Sequence, residues 1–123
     1  MSRKVTTTKG FAAIKKIFAV LALQIPMLAI AGTCDPAGCT GKVKNLYPHG
    51  GTGHGYIEMD ADNKSALNCT LFQGAFIVLK ESNKRHAEIY SMLLTASVMG
   101  KDVRVRVIEG TPDCELIYTM LSS

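Results

Sequence analysis

Polar and apolar residues alternate most regularly over Asp102-Val103-Arg104-Val105-Arg106-Val107-Ile108. A period of two puts Val103, Val105 and Val107 on the inner face of a strand and Arg104 and Arg106 on the outer one. Glu109-Gly110-Thr111-Pro112-Asp113 carries turn chemistry, and Glu115 to Leu121 resumes the alternation as a last strand. Three stretches upstream also read as strands. The first is Lys42 to Tyr47, and the second is Tyr56 to Asp60, with Ile57 and Met59 on one face. The third runs from Cys69 to Phe72 and, after a bend at Gln73-Gly74-Ala75, from Phe76 to Leu79. Pro48 to Gly55 is dense in glycine and proline and reads as a turn or mobile loop, and Asp62 to Ser65 as a turn.

One segment has the period of a helix. Ser82 and Asn83 stand where caps belong and Gly100 where a C-terminal glycine belongs. Between them Ile89, Leu93 and Ala96 form an apolar stripe, which Tyr90, Leu94 and Val98 are expected to widen. Lys84, Arg85 and His86 crowd the first turns beside Glu88 and oppose the helix dipole. The expected order is β-β-β-α-β-β, mainly β with one helix.

The amino-terminal pattern is of another kind. Arg3, Lys4, Lys9, Lys15 and Lys16 precede an apolar run over residues 17–31 that contains Gln24 and Pro26 and closes on Ala29-Ile30-Ala31. A basic region, a short apolar run and a small-x-small ending describe a secretory signal peptide over residues 1–31. The run is shorter than the ~20 residues of a comfortable membrane span. Thr33 separates Gly32 from Cys34, so the position next to the cut is not a lipoprotein cysteine. A soluble chain of residues 32–123, periplasmic or secreted and with no stable membrane anchor after processing, is expected. Charge changes with it. The full chain has 14 basic and 10 acidic residues; without the five basic leader residues, nine basic face ten acidic, a net of −1. A nucleic-acid partner is therefore not expected.

All four cysteines, Cys34, Cys39, Cys69 and Cys114, follow the leader, where disulfides persist. Four cysteines allow three pairings. The turn-forming Asp35-Pro36-Ala37-Gly38 brings Cys34 and Cys39 together, which favours Cys34–Cys39 with Cys69–Cys114. A redox pair calls for Cys-x-x-Cys at a helix start, and a zinc site for paired short spacings; neither spacing is present.

Tyr90, Leu93-Leu94-Thr95-Ala96, Gly100-Lys101, Val103 and Val105, framed by Cys69 and Cys114, resemble a set of small exported bacterial proteins. More distantly the stretch is similar to the pentamer-forming binding subunits of subtilase-cytotoxin and pertussis-like toxins. The resemblance spans roughly residues 42–121, with the helix-to-strand step its specific part. It implies a helix whose Gly-Lys end feeds a strand and a cysteine bridge that ties the barrel. The element order is that of the five-stranded Greek-key barrel, the OB-fold, whose helix lies between strands three and four. By the same likeness a glycan or protein partner and a homo-oligomer, such as a ring, are expected. The segment after the fourth strand is shorter here than in the toxin subunits, and no residue matches their sugar-contacting serine.

No Ser-His-Asp, Cys-His or His-Glu-x-x-His pattern stands in the context catalysis requires, so the chain is not read as an enzyme, and no cofactor is expected. His49 and His54 flank the glycine-rich loop without a third ligand nearby and read as solvated, like His86 at the helix start. Glu58, Asp60 and Asp62 read as surface charge, a weak calcium site being the sharper alternative. Metal ligands are therefore set at none. Arg104 and Arg106, with Tyr118 or Tyr47 beside them, form the expected ligand-binding group, since Arg and Tyr combine directed hydrogen bonds with flat contact area. The competing role of the arginines is to keep an exposed strand soluble. A binding module is the first functional reading, a periplasmic structural or inhibitory protein without a small-molecule ligand the alternative, and a metal-dependent protein the third.

Overall fold

The structure, a computed structural model, describes residues 30–121. The segment read as a signal peptide lies outside the described residues up to residue 29. Thr33–Asp35 (β1) and the first residues of Gly38–Pro48 (β2) form a hairpin in which Cys34 and Cys39 stand directly opposite and are disulfide-bonded. The Asp35 carboxylate accepts the Ala37 amide at 2.8 Å and holds the turn. This hairpin is a sixth strand beyond the five expected, and it starts β2 four residues before the anticipated Lys42.

Gly55–Asp60 (β3), Ile77–Leu79 (β4), the helix His86–Met99 (α1), Val103–Val107 (β5) and Leu116–Leu121 (β6) complete the chain, with a 3-10 turn at Lys64–Ala66. The strands are antiparallel in the order β4-β3-β2-β5-β6, with β1 on β2. The fold is thus mainly antiparallel β sheet with one helix. β2 runs through its middle: Gly38–Gly41 pair with β5, Lys42–Pro48 pair with β3, and a register irregularity falls between Val43 and Asn45. Gly38 lies so close to the Val105 carbonyl that a β carbon would have no room, which is why glycine stands where β2 joins β5.

The closed barrel expected from the element order is not formed. The end strands β4 and β6 meet only at a parallel bridge between Val78 and Glu115, with the Val78 amide 3.2 Å from the Cys114 carbonyl. The third strand is shorter than anticipated because Gln73 and Gly74 take positive φ (53° and 74°) and turn the chain back at a Phe72–Phe76 bridge. Three residues are left to β4, too few to close a ladder with β6.

Val103, Val105 and Val107 point inward, with Ile57, Met59, Ile77, Leu79 and Leu116 beside them. Ile89, Leu93 and Ala96 of α1 join this core. Leu94 and Val98 do not widen the stripe: at about 100° per residue they fall roughly 130° and 170° round the helix from its centre, and Val98 is 79% exposed. The helix start also differs in detail. Asn83 acts before the helix rather than as its cap: its Oδ1 accepts the Arg85 amide at 2.8 Å, and Arg85 occupies the cap position without a side-chain capping bond, its guanidinium donating instead to Glu88 at 3.1 Å. Gly100 ends the helix at φ 65°, and the Lys101 amide donates to the Ala96 carbonyl at 2.9 Å, the left-handed termination a glycine permits.

The second disulfide, Cys69–Cys114, joins segments 45 residues apart, and the Lys80–Asp113 ion pair at 2.5 Å lies beside it. In the chain-entropy account the long loop contributes on the order of 4 kcal/mol and the five-residue one about 2 kcal/mol. Cys69→Ser is therefore expected to lower stability by about 2 kcal/mol more than Cys34→Ser in denaturant titration. Equal losses would contradict this ranking.

Candidate functional site

Alternation places Arg104 and Arg106 on the outer face of β5, and the β5–β6 register sets Arg106 opposite Tyr118 and Arg104 opposite Met120. Three of the four expected site residues thus share one face. Arg104 is committed there to Asp35: Nη1 donates to Oδ2 at 2.8 Å and Nη2 to Oδ1 at 3.1 Å, a two-pronged fork. Nη1 also lies 3.4 Å from Thr40 Oγ1. The Arg104 hydrogen bond holds the Asp35 carboxyl below its ordinary range, with the Ala37 amide assisting, and Asp35 in turn raises Arg104. The pair joins β5 to the β1–β2 turn. The Arg106 side chain makes no hydrogen bond or ion pair among the described residues, and its Nε is buried without a partner.

Tyr47 is elsewhere. It lies near the far end of β2, seven residues from the Thr40 that pairs with Arg104, or roughly 20 Å along the strand. It stands opposite Tyr56 on β3, and the rings stack with centroids 5.1 Å apart and planes 20° from parallel. Phe76 meets the Tyr47 ring edge-on at 5.6 Å, and Phe72 lies 5.0 Å from Tyr56. Tyr56 is 4% exposed and Tyr47 37%, so Tyr47 is the open end of an aromatic stack anchored in the body of the protein.

The glycine-rich loop above this stack is bonded internally rather than loose. The His49 amide donates to the His54 carbonyl at 2.9 Å, and the Gly53 amide to the His49 carbonyl at 2.8 Å. His49 Nδ1 accepts the Gly51 and Thr52 amides at 3.0 and 3.1 Å. His54 Nδ1 accepts the Glu81 amide at 2.9 Å, tying the loop to the segment before α1. Each Nδ1 is thus an acceptor. Both imidazoles sit edge-on to Tyr56, at 5.9 and 6.4 Å. The histidines shape the loop over the tyrosines.

Glu58 accepts Asn45 Nδ2 at 2.7 Å and has Lys64 and Lys44 at 3.7 and 3.9 Å. The Asn45 hydrogen bond, with the two lysines, keeps its carboxyl below the ordinary range. Asp60 and Asp62 are exposed, and no group of three metal-ligating side chains occurs among the described residues. A cleft of about 440 Å³ lies between the 3-10 turn and the segment that follows it, lined by Lys64, Leu67, Cys69 and Leu71 among others.

Sequence reasoning missed Tyr56 and Phe76 as partners of Tyr47, Phe72 as a partner of Tyr56, and Asp35 as the partner of Arg104. The tyrosine pair did carry a signal: Tyr47 and Tyr56 bracket one loop symmetrically, as facing positions of a hairpin do. Phe72 and Asp35 arrive from remote turns and carried none. No family model matches the chain, and neither curated proteins nor solved structures include a match to it.

The Arg104–Asp35 fork implies a pH dependence. A carboxyl held below its ordinary value of 3.8 adds stability above that pH and loses it as the pH falls through the lower folded value. Asp35→Asn is expected to be less stable at neutral pH by about 0.5–1 kcal/mol, as for a half-exposed ion pair, and to show a shallower loss on acidification. Thermal melts of both proteins across the acid range check this.

Proposed function

We propose that the protein is an exported, non-enzymatic binding module that recognises a glycan through the Tyr47 face of its aromatic stack. The observation that carries the reading is Tyr47 itself, a part-exposed ring held rigidly on a buried tyrosine beside an ordered loop. A ring fixed before the ligand arrives loses little conformational entropy on binding, and its flat apolar face suits the C–H surface of a sugar. The loop's backbone and the Tyr47 hydroxyl lie nearby for polar contacts.

The framework supports the same reading. β2, β3 and β4, then α1, then β5 and β6 follow the element order of an OB-fold, with the β1 hairpin as an addition and the ladder incompletely closed. In such folds the loop between the first two barrel strands contributes to oligosaccharide sites, and here that loop covers Tyr56. The likeness of Tyr90 to Val105 to exported bacterial proteins and toxin binding subunits points the same way. The two disulfides fit an oxidising compartment, periplasmic or extracellular, and no helix among the described residues is long and apolar enough to cross a membrane.

Glycan-array screening followed by calorimetric titration tests the proposal. Tyr47→Ala is expected to weaken the best glycan by about tenfold or more, while Tyr47→Phe keeps the stacked face and most of the affinity. Unchanged affinity in Tyr47→Ala, in a variant shown to be folded by circular dichroism, would place the site elsewhere. A blank array with the parent protein would remove the glycan reading.

A further inference from the structure

β6 is the open margin of the sheet. Its ladder is with β5 alone; just before it Glu115 bridges to Val78 of β4, and the Asn83 side chain reaches the Leu116 and Ile117 carbonyls at 3.3 Å. From Tyr118 to Leu121 the side away from β5 has no backbone partner among the described residues. Sheet margins are normally protected by shortness, charge, proline or a bulge. Leu116-Ile117-Tyr118-Thr119-Met120-Leu121 carries no charge, proline or glycine. The only irregularity of its pairing with β5 falls at its start, and Tyr118 to Leu121 run in regular register.

The side chains along this margin are apolar and open. Ile117, Tyr118, Met120 and Leu121 are exposed, Met120 at 54%. On the inner side Met92 of α1 reaches the strand, its sulfur 3.2 Å from Thr119 Oγ1, and Met99 follows two helical turns later on the same side. An unpaired strand edge and an apolar surface therefore coincide.

Charge at the two ends of β6 selects the occupant. The Leu116 end adjoins Glu115, and the Leu121 end adjoins Lys101, two residues before the Val103 that pairs with Leu121. Neither Glu115 nor Lys101 forms an ion pair among the described residues; Lys80, whose charge reaches Glu115, is bound to Asp113, and Asp102 is taken by Lys42 at 3.0 Å. Antiparallel alignment of two identical β6 strands sets the Lys101 end of each against the Glu115 end of the other, twice by symmetry. Parallel alignment sets like against like. The edge is thus complementary to itself in one orientation, the condition for a closed two-fold interface.

We propose that β6 pairs antiparallel through its open residues Tyr118 to Leu121 with β6 of a second copy of this chain, about a two-fold axis near Thr119 and Met120, so that one sheet runs through both copies. The interface is separate from Tyr47 and independent of the glycan reading.

Sedimentation velocity on the protein expressed from its full sequence and purified from the exported fraction tests this. The expected result is a monomer–dimer equilibrium that shifts to monomer in Met120→Lys, whose helix and sheet signals stay unchanged. Lys101→Glu is expected to weaken the dimer by roughly tenfold, and the added Glu115→Lys to restore it, a rescue that a merely destabilised fold would not show. A monomer at every concentration, a dimer unmoved by Met120→Lys, a charge loss without rescue, or a ring of more than two copies would each overturn the proposal.

Discussion

β2 is the strand on which the rest of the structure depends, because it alone is bonded to three others. Its first residues pair with β1 on one side and β5 on the other, and six of its last seven pair with β3. Remove it, and β3–β4 and β5–β6 become two hairpin-sized pieces, neither large enough to be stable alone. The backbone of β2 is suited to this joining. Gly38 lets the Val105 carbonyl approach, and the irregularity at Val43–Asn45 falls close to the change of partner. Side chains of both hairpins and α1 then fill one core, in which Leu93 and Ala96 meet the β5 valines.

The ends of β2 carry different chemistry as a consequence. At the β5 end, the Cys34–Cys39 hairpin and the Asp35–Arg104 fork fix the turn to the sheet, so the guanidinium best placed for recognition serves the fold. At the β3 end, Tyr47 faces Tyr56 and the loop closes over them through the histidine Nδ1 acceptors. The first is a stitched surface and the second a presented one. That contrast directs the binding proposal to Tyr47 rather than to the arginines. The Cys69–Cys114 bridge and the Lys80–Asp113 pair hold the opposite margin, where β4 and β6 meet only at one bridge.

What the sequence disclosed followed from local periodicity. The Val-Arg alternation at 103–107, the Ile89–Leu93–Ala96 stripe, the Gly100 stop and both cysteine pairings are each decided within a few residues or by what remains after a short turn, and they are present in the structure. What it concealed depends on distant segments. Leu94 and Val98 are apolar, yet they lie round the helix from the stripe and are exposed. The shortness of β4 comes from positive φ at Gln73, a residue type that gives no warning of it. For the candidate site, Tyr47, Tyr118 and the arginines were visible as surface-forming types. Their grouping was not, because it depends on the register along β2: Tyr47 and Arg104 are far apart on opposite ends of one strand.

Native-state hydrogen exchange on the β2 amides bears most directly on the central claim that one strand unites the two halves of the sheet. If β2 is the shared element, amides bonded toward β5 (39–41) and those bonded toward β3 (43–47) exchange with the same, highest free energy of opening, equal to that of global unfolding. Markedly weaker protection over 43–47, with β3 and β4 opening separately while β5 and β6 stay closed, would contradict it.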